Sequence, residues 1–367
     1  MEDYLLDIIY GRKRGAAAFL IKIFLKAASI GYYIIVKSRR FLYKSGILKS
    51  KKLNNKVISI GNITVGGTGK TPFTAFLVEK LKHDNDITVI SRGYGAEKKI
   101  KKPVQISSGR ELLCGPELSG DELYMLAEKI KDVNFIRARD RYSGGVMAEE
   151  KGFSGLIVLD DGFQHYQLAR DLDILLIDGR DPFSNRKLLP AGLLREPLSE
   201  IKRADIIIIT RTENLGEDEV DRIEKKLNSC TDEKKPVFRA ETKNDSILIL
   251  DSLQKLSLKF LQKRKIFAFC GIGRPDAFKR SLKDLNADIA EFTAFPDHYS
   301  YSEEDLLNLA EKFQNSAAEI MITTEKDSVK IKKYRKITDG FPIYKLAVKI
   351  SLKREDEFME SVQQILA

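Results

Sequence analysis

After Lys52 the chain alternates short, unbroken apolar runs with stretches of helical periodicity, and that alternation restricts the fold more than any other feature. The runs are "VISIG", "DITVIS", "VNFI", "GLIVLDDG", "DILLID" and "ADIIIIT", and helical patterns fill the intervals from about Thr71, near 121–131 and near 143–151. A strand with one wet face alternates apolar and polar residues, whereas a run that is apolar at every position belongs to a parallel sheet covered on both faces. A doubly wound α/β domain is predicted. Ligands on such a sheet bind at the carboxyl ends of its strands, where Gly61, Ser91, Asp160 and Asp178 fall. The charged stretch "RTENLGEDEVDRIEKKLNSCTDEKKP" then leads to a second, shorter series, "VFRAET", "ILIL", "KIFAFCGIG", "EIMITTEKD" and "PIYKLAV", and to a closing helix near 354–366. The expected organisation is a basic segment at 1–52, an α/β domain at 53–212 and a smaller α/β domain at 213–367 that closes a cleft against it.

With 367 residues, 43% of them hydrophobic, the chain can bury two ordinary cores and is neither disordered nor fibrous. Its three cysteines, Cys114, Cys230 and Cys270, are far apart and lack paired spacing, so neither a zinc site nor a disulfide framework is indicated, and a reducing cytoplasm is the natural setting. The net charge of +10 invites a nucleic-acid reading, but residues 1–52 hold twelve Lys/Arg against three acids. Nearly all the excess charge therefore sits at one end, which argues against a nucleic-acid groove along the molecule.

Within that basic end, "GAAAFLIKIFLKAASIGYYIIV" is almost wholly apolar. A spanning helix wants about 20 residues with few charges, and here Lys22 and Lys26 interrupt it; no cleavage pattern marks it as a signal peptide. Lys22, Lys26, Ser29, Tyr33 and Lys37 recur at helical spacing and form one polar stripe, while Leu20, Ile21, Ile23, Phe24, Leu25, Ile30, Ile34 and Ile35 cover the rest. Such a helix suits a membrane surface with anionic headgroups, or equally a core with snorkelling lysines. The flanking clusters Arg12-Lys13-Arg14 and Arg39-Arg40 favour the membrane surface.

The first apolar run opens "VISIGNITVGGTGKTPFT". Its loop Thr64, Val65, Gly66, Gly67, Thr68, Gly69, Lys70, Thr71 fits the phosphate-binding pattern of Gly, four residues, Gly-Lys-Ser/Thr, except that Thr64 stands where the first glycine belongs. The glycines let backbone N–H groups surround phosphate oxygens, Lys70 brings a charge to the outer phosphates, and the Thr71 hydroxyl can hold Mg²⁺ at the helix start, where Pro72 is tolerated. In "GLIVLDDGFQH" an apolar strand ends on Asp160 and Asp161, an arrangement that holds Mg²⁺ directly or through water; alone, such a pair is often a cap or a turn. "LSGDELYML" puts Asp121 and Glu122 in the first turn of a helix that Ser119 could cap, where acids also serve simply to oppose the helix dipole. Of the three histidines, His83 lies in a charged surface stretch, His165 follows the aspartate pair, and His298 in "FPDHYSY" could tune a carboxylate base across the expected cleft.

Together, "SIGNITVGGTGKTP", "SRGYG", "GDE", "LDDGFQH", "DLDILLID", "LLPAGLLREP", "FPDHYSY" and "TTEKD", collinear over roughly residues 10–350, closely resemble the tetraacyldisaccharide 4'-kinase family, in which Thr64 is part of the loop. The resemblance implies a P-loop NTPase-like fold and a monotopic enzyme on the cytoplasmic face of the bacterial inner membrane. It implies Mg²⁺-dependent transfer of the γ-phosphate of ATP to the 4'-hydroxyl of a tetraacyl glucosamine disaccharide 1-phosphate, a membrane lipid. Carried over residue by residue, Lys70 and Thr71 would serve phosphate and metal, Asp160 and Asp161 the metal, Asp121 would be the general base paired with His298, and Arg195 would lie near the transferring phosphate. Arg92, Tyr94, Arg141, Gln164 and His165 resemble positions lining the disaccharide site. A soluble P-loop small-molecule kinase or GTPase would also explain Lys70, Thr71 and Asp160, although "TEKD" lacks the Asn of a guanine-reading Asn-Lys-x-Asp; a membrane-associated ATP-binding scaffold would leave Asp121 and His298 dispensable.

Overall fold

The computed structural model describes residues 2–252 and 254–367. In chain order the strands are β1 (Lys56–Gly61), β2 (Ile87–Ser91), β3 (Val104–Ser108), β4 (Asn134–Arg137), β5 (Leu156–Asp160), β6 (Leu172–Asp178), β7 (Ile206–Thr210), β8 (Val237–Ile249), β9 (Lys255–Leu256), β10 (Lys265–Cys270), β11 (Asp288–Ala294), β12 (Ile320–Thr324) and β13 (Ile343–Leu352). The helices are α1 (Glu2–Ile9), α2 (Ala16–Lys44), α3 (Lys70–Leu81), α4 (Pro116–Ser119), α5 (Asp121–Lys129), α6 (Arg141–Glu150), α7 (Glu217–Asn228), α8 (Pro275–Asp284), α9 (Glu303–Asn315), α10 (Glu325–Ile331), α11 (Arg335–Thr338) and α12 (Glu355–Leu366).

Two compact units emerge, and they are interleaved along the chain. One holds the chain up to Ile90, Asp140–Thr242 and Ser351–Ala367; the other holds Ser91–Arg139 and Lys243–Ile350. The sequence expectation of contiguous pieces cut at 52 and 212 differs from this division, because the chain leaves the first unit after β2, returns at α6, and comes back once more for α12. "VFRAET" and "ILIL", expected as two strands, are the single strand β8, which begins in the first unit and ends in the second.

In the first unit the strand order is β8-β7-β6-β1-β5-β2, all parallel. Every residue of β5 and β7 is buried, as is β1 from Val57 to Gly61, which is the physical reason their sequences lack alternation. Helix α3 closes one face of this sheet with Phe73, Leu77, Val78 and Leu81. In the second unit β11, β10, β12 and β13 follow one another in parallel register, with β9 antiparallel to the end of β8. Strands β3 and β4 form an antiparallel pair with a register shift between Gln105 and Ser107, a pairing the sequence reading did not anticipate.

Helix α2 runs eight residues beyond the apolar stretch, to Lys44, and is the one described helix long and apolar enough to cross a membrane. Phe24 and Ile35 are 71% and 67% exposed, and Phe19, Leu20, Ile23, Ile30, Ile34 and Phe41 are exposed beside them. The polar stripe does not stay together as the sequence suggested. Ser29 turns inward and donates to the Leu188 carbonyl at 3.0 Å, whereas Lys26, Tyr33 and Lys37 stay exposed. On the same inner seam, the Tyr32 hydroxyl donates to the Arg195 carbonyl at 2.9 Å, Arg40 pairs with the buried Glu200, and Tyr43 stacks on Tyr166. Helix α2 is thus held to the sheet domain by a narrow polar seam, with its broad apolar face left outside. Replacing Tyr32 by Phe removes one of these hydrogen bonds and should lower stability by about 1 kcal/mol, read as a lower urea midpoint with an unchanged slope.

Candidate active site

The phosphate-binding loop leaves the central strand β1 and enters α3. Its first part is extended: Thr64 pairs with Leu194, the Val65 N–H donates to the Leu193 carbonyl at 2.8 Å, and the Arg195 N–H donates to the Ile63 carbonyl at 2.7 Å. A glycine at position 64 is unnecessary because the backbone there is strand-like and paired. Glycine is needed lower down, where Gly69, the residue before α3, adopts the left-handed conformation with φ of 84°. Among the described residues, the backbone N–H groups of Gly66, Gly67, Thr68, Gly69 and Lys70 engage no protein acceptor, and the Thr68 hydroxyl is buried without a partner. Five open donors at the head of a helix form an anion cradle.

Beside this cradle lies a cluster of opposed charges. The Lys70 ammonium donates to Asn62 Oδ1 at 3.3 Å and stands 3.6 Å from Asp161; the Arg195 guanidinium reaches both Asp161 oxygens at 3.0 Å. Burial alone would raise the Asp161 carboxyl, but the charges of Lys70 and Arg195 outweigh it and hold the group below the usual carboxylate range. Asp160 points elsewhere, accepting from the Thr74 hydroxyl at 3.3 Å, with Thr71 buried on the same helix. Thr71, Asp160 and Asp161 offer only hard oxygen donors, the chemistry that suits Mg²⁺ bound mainly by phosphate and water. No group of three or more His, Cys, Asp or Glu side chains forms a closed metal cage among the described residues.

Several expected substrate-side residues belong to this unit. Gln164 donates to the Asn62 carbonyl at 2.7 Å and to Glu196 at 3.1 Å, and its oxygen accepts from Arg195 at 3.4 Å. Arg141 opens α6 behind the Asp140 cap and is buried, its Nη2 3.5 Å from the Asp160 carbonyl. His165 sits in the turn after Gly162, to whose carbonyl its N–H donates at 2.8 Å. The sequence reading missed Asn62 and Glu196. The latter is almost fully buried and accepts from Gln164, from the Tyr166 hydroxyl at 2.6 Å and from Arg203 at 2.7 Å. A charge at Glu196 inside "LLREP" was the visible signal, but only its burial shows that it organises the cluster.

The remaining candidates lie in the second unit. Asp121 is the first residue of α5 and is half-buried, facing Gly95 of "SRGYG", where an added Cβ would lie 3.5 Å from its Oδ2. Burial pushes the Asp121 carboxyl above its usual range, partly offset by the charges of Lys330 and Lys326. A more basic carboxylate is a better proton acceptor. Ser119 does not cap α5 as expected: its hydroxyl donates back to the Gly115 carbonyl at 2.8 Å, and the helix starts from Gly120 without a side-chain cap. His298 is half-buried in the left-handed conformation, φ 57°, with the exposed Tyr94 ring edge-on at 5.1 Å. Arg92 is exposed, and its carbonyl accepts from the buried Arg137, which also donates to the Lys98 carbonyl at 2.8 Å and to the Leu118 carbonyl.

Arg137 and Gly120 together tie "SRGYG" to the start of α5. Gly120 has φ 81° and ψ 149°, a conformation close to glycine-only, and a Cβ there would come within 2.5 Å of the Tyr94 carbonyl. Gly120→Ala should therefore destabilise the protein by about 1–3 kcal/mol, seen as a lowered denaturation midpoint.

Comparison with known proteins agrees with this architecture. The family model Tetraacyldisaccharide-1-P 4'-kinase (LpxK) matches residues 21–367. A tetraacyldisaccharide 4'-kinase of Halothermothrix orenii is 36% identical over 368 residues, covering 96% of this chain and 95% of that protein. One from Aquifex aeolicus is 36% identical over 334 residues, covering 91% and 96%. A crystal structure of an "apo" form of LpxK from Aquifex aeolicus in complex with ATP is similar at a TM-score of 0.78 and 35% identity, covering 95% of this chain and 100% of that one. Matched by the family model over residues 21–367 and 36% identical to curated members over nearly its whole length, the chain belongs to the tetraacyldisaccharide 4'-kinase family.

Proposed function

We propose that this protein is an ATP-dependent kinase that phosphorylates the 4'-hydroxyl of a tetraacyl glucosamine disaccharide 1-phosphate. The observation that carries the reading is the row of unengaged N–H groups from Gly66 to Lys70, set beside Lys70, Asp161 and Arg195. These groups bind and orient the triphosphate, and Lys70 and Arg195 oppose the charge that accumulates on the transferred group. Thr71, Asp160 and Asp161 would hold Mg²⁺, which would supply neutralisation of phosphate charge. The sugar hydroxyl oxygen attacks the γ-phosphorus, the bond from that phosphorus to the bridging oxygen breaks, and ADP leaves; Asp121 accepts the hydroxyl proton. Arg92, Tyr94, Arg141, Gln164 and His165 are read as contacts to the disaccharide headgroup, and His298 as the partner that orients Asp121.

The test is incubation of purified protein with γ-labelled ATP, Mg²⁺ and the tetraacyl disaccharide 1-phosphate in detergent micelles. Label should appear on the lipid, and Asp121→Ala should lower kcat by about 10²–10⁴-fold while leaving the denaturation midpoint nearly unchanged. Full activity in Asp121→Ala would refute the base assignment.

The membrane reading rests on α2. A lipid with four acyl chains stays in the bilayer, so its kinase must work at the surface, and an exposed apolar helix flanked by Arg12, Lys13, Arg14 and Arg39 suits an anionic inner-membrane face, approached from the cytoplasm without crossing. Phe24→Glu with Ile35→Glu should release the protein from sedimenting anionic vesicles. Unchanged sedimentation would mean that another surface anchors it.

A further inference from the structure

Lys326 is the second residue of α10, and its Nζ lies 3.0 Å from His298 Nε2 and 3.2 Å from the Glu122 carboxylate. An ammonium carries three donors and no acceptor, so the imidazole nitrogen facing it must offer a lone pair. A neutral ring that accepts at Nε2 carries its proton at Nδ1, and an imidazolium in this place would set two cations against each other.

We propose that Lys326 is a positioning residue that locks His298 as the neutral, Nδ1-protonated imidazole and, with Lys330 one turn further along α10, supplies the positive charge beside Asp121. The charge that keeps the base ionised then comes from lysines and not from an imidazolium. This rests on the reading of Asp121 as the proton acceptor. The surrounding groups are, from α5, Asp121 and Glu122; from the 297–298 loop, Asp297, whose Oδ1 accepts from the His298 N–H at 2.9 Å; from α10, Lys326, Lys330 and Asp327; and Tyr94, edge-on to the imidazole. Lys330 is nearly buried and lies 3.5 Å from the fully buried Asp327, so the second charge is fixed as well. Burial lowers the His298 pKa, Lys326 adds to that effect, and Asp297 and Glu122 oppose it.

The sign for Asp121 follows directly. Removing a neighbouring cation raises the pKa of the carboxylate, so the base is protonated at higher pH and the acid limb of kcat/KM moves up. Two measurements on the full-length protein test the proposal. The chain has only three histidines, so ¹⁵N-imidazole spectra can resolve His298, identified by its loss in His298→Gln. In the wild type it should appear as the Nδ1-protonated tautomer; in Lys326→Met that tautomer should lose its preference and the ring should titrate at higher pH. In parallel, the acid limb of kcat/KM should rise by about one pH unit in Lys326→Met and return toward wild type in Lys326→Arg, which keeps the charge.

A wild-type ring protonated at Nε2, or a Lys326→Met protein whose ring and acid limb both stay put, overturns the proposal. So does a moved ring with an unmoved acid limb, provided Asp121→Ala is inactive. If Asp121→Ala keeps its activity, the base assignment falls and takes the acid-limb role of Lys326 with it, while the ¹⁵N tautomer separately tests the lock on His298.

Discussion

The short antiparallel pairing of Ile63–Val65 with Leu193–Arg195 is the contact on which the first unit's chemistry depends. It makes the upper half of the phosphate loop extended, which lets Thr64 stand where a glycine is usual. By the same register it delivers the Arg195 side chain to Asp161 and, one residue on, Glu196 to Gln164, Tyr166 and Arg203. The Arg195 carbonyl, left over from this pairing, is taken by the Tyr32 hydroxyl of α2. One backbone register thus connects the anion cradle, the aspartate that faces it, and the amphipathic helix. A slip by one residue would turn Arg195 away from Asp161.

Helix α2 has two kinds of surface. Its inner seam carries Ser29, Tyr32 and Arg40, each matched to a carbonyl or a buried carboxylate. An apolar seam could hold a helix equally tightly, but hydrogen bonds to particular carbonyls also fix its register along the domain. The outer face is dominated by exposed Phe19, Leu20, Ile23, Phe24, Ile34 and Ile35, with Lys26, Tyr33 and Lys37 exposed among them. The seam that attaches α2 to the domain and its exposed apolar face are therefore separable on the same helix.

In the second unit the organising device is the buried start of α10. Asp327 is fully buried, accepts from the Gly271 N–H at 3.0 Å and from the Thr324 hydroxyl at 2.7 Å, and faces Lys330. With that end anchored, the helical repeat places Lys326 and Lys330 on the side that packs against α5, where Asp121 and Glu122 are. Burial and positive charge act on Asp121 in opposite directions, with burial the larger. The result is a carboxylate more basic than usual, with lysine charge opposing the effect of burial.

Much was legible in the chain itself. Strand interiors, the loop from Thr64 to Thr71, the aspartate pair and the apolar N-terminal helix each write a local pattern, because each depends on neighbours a few residues away: 3.6-residue spacing, continuous burial, or glycines at a turn. The interleaving of the two units, the inward turn of Ser29, the failure of Ser119 to cap α5, the roles of Asn62, Glu196 and Arg137, and the contact of Lys326 with His298 left no such trace. Those depend on groups brought together across tens to hundreds of residues, and their meaning changes with burial, which raises the strength of every charge and hydrogen bond it encloses. Sequence alone determined that a triphosphate-binding loop would open a helix beneath a parallel sheet; only the tertiary structure decided which cations face which carboxylates, because that follows from the register of packed elements and not from the spacing of residues along the chain.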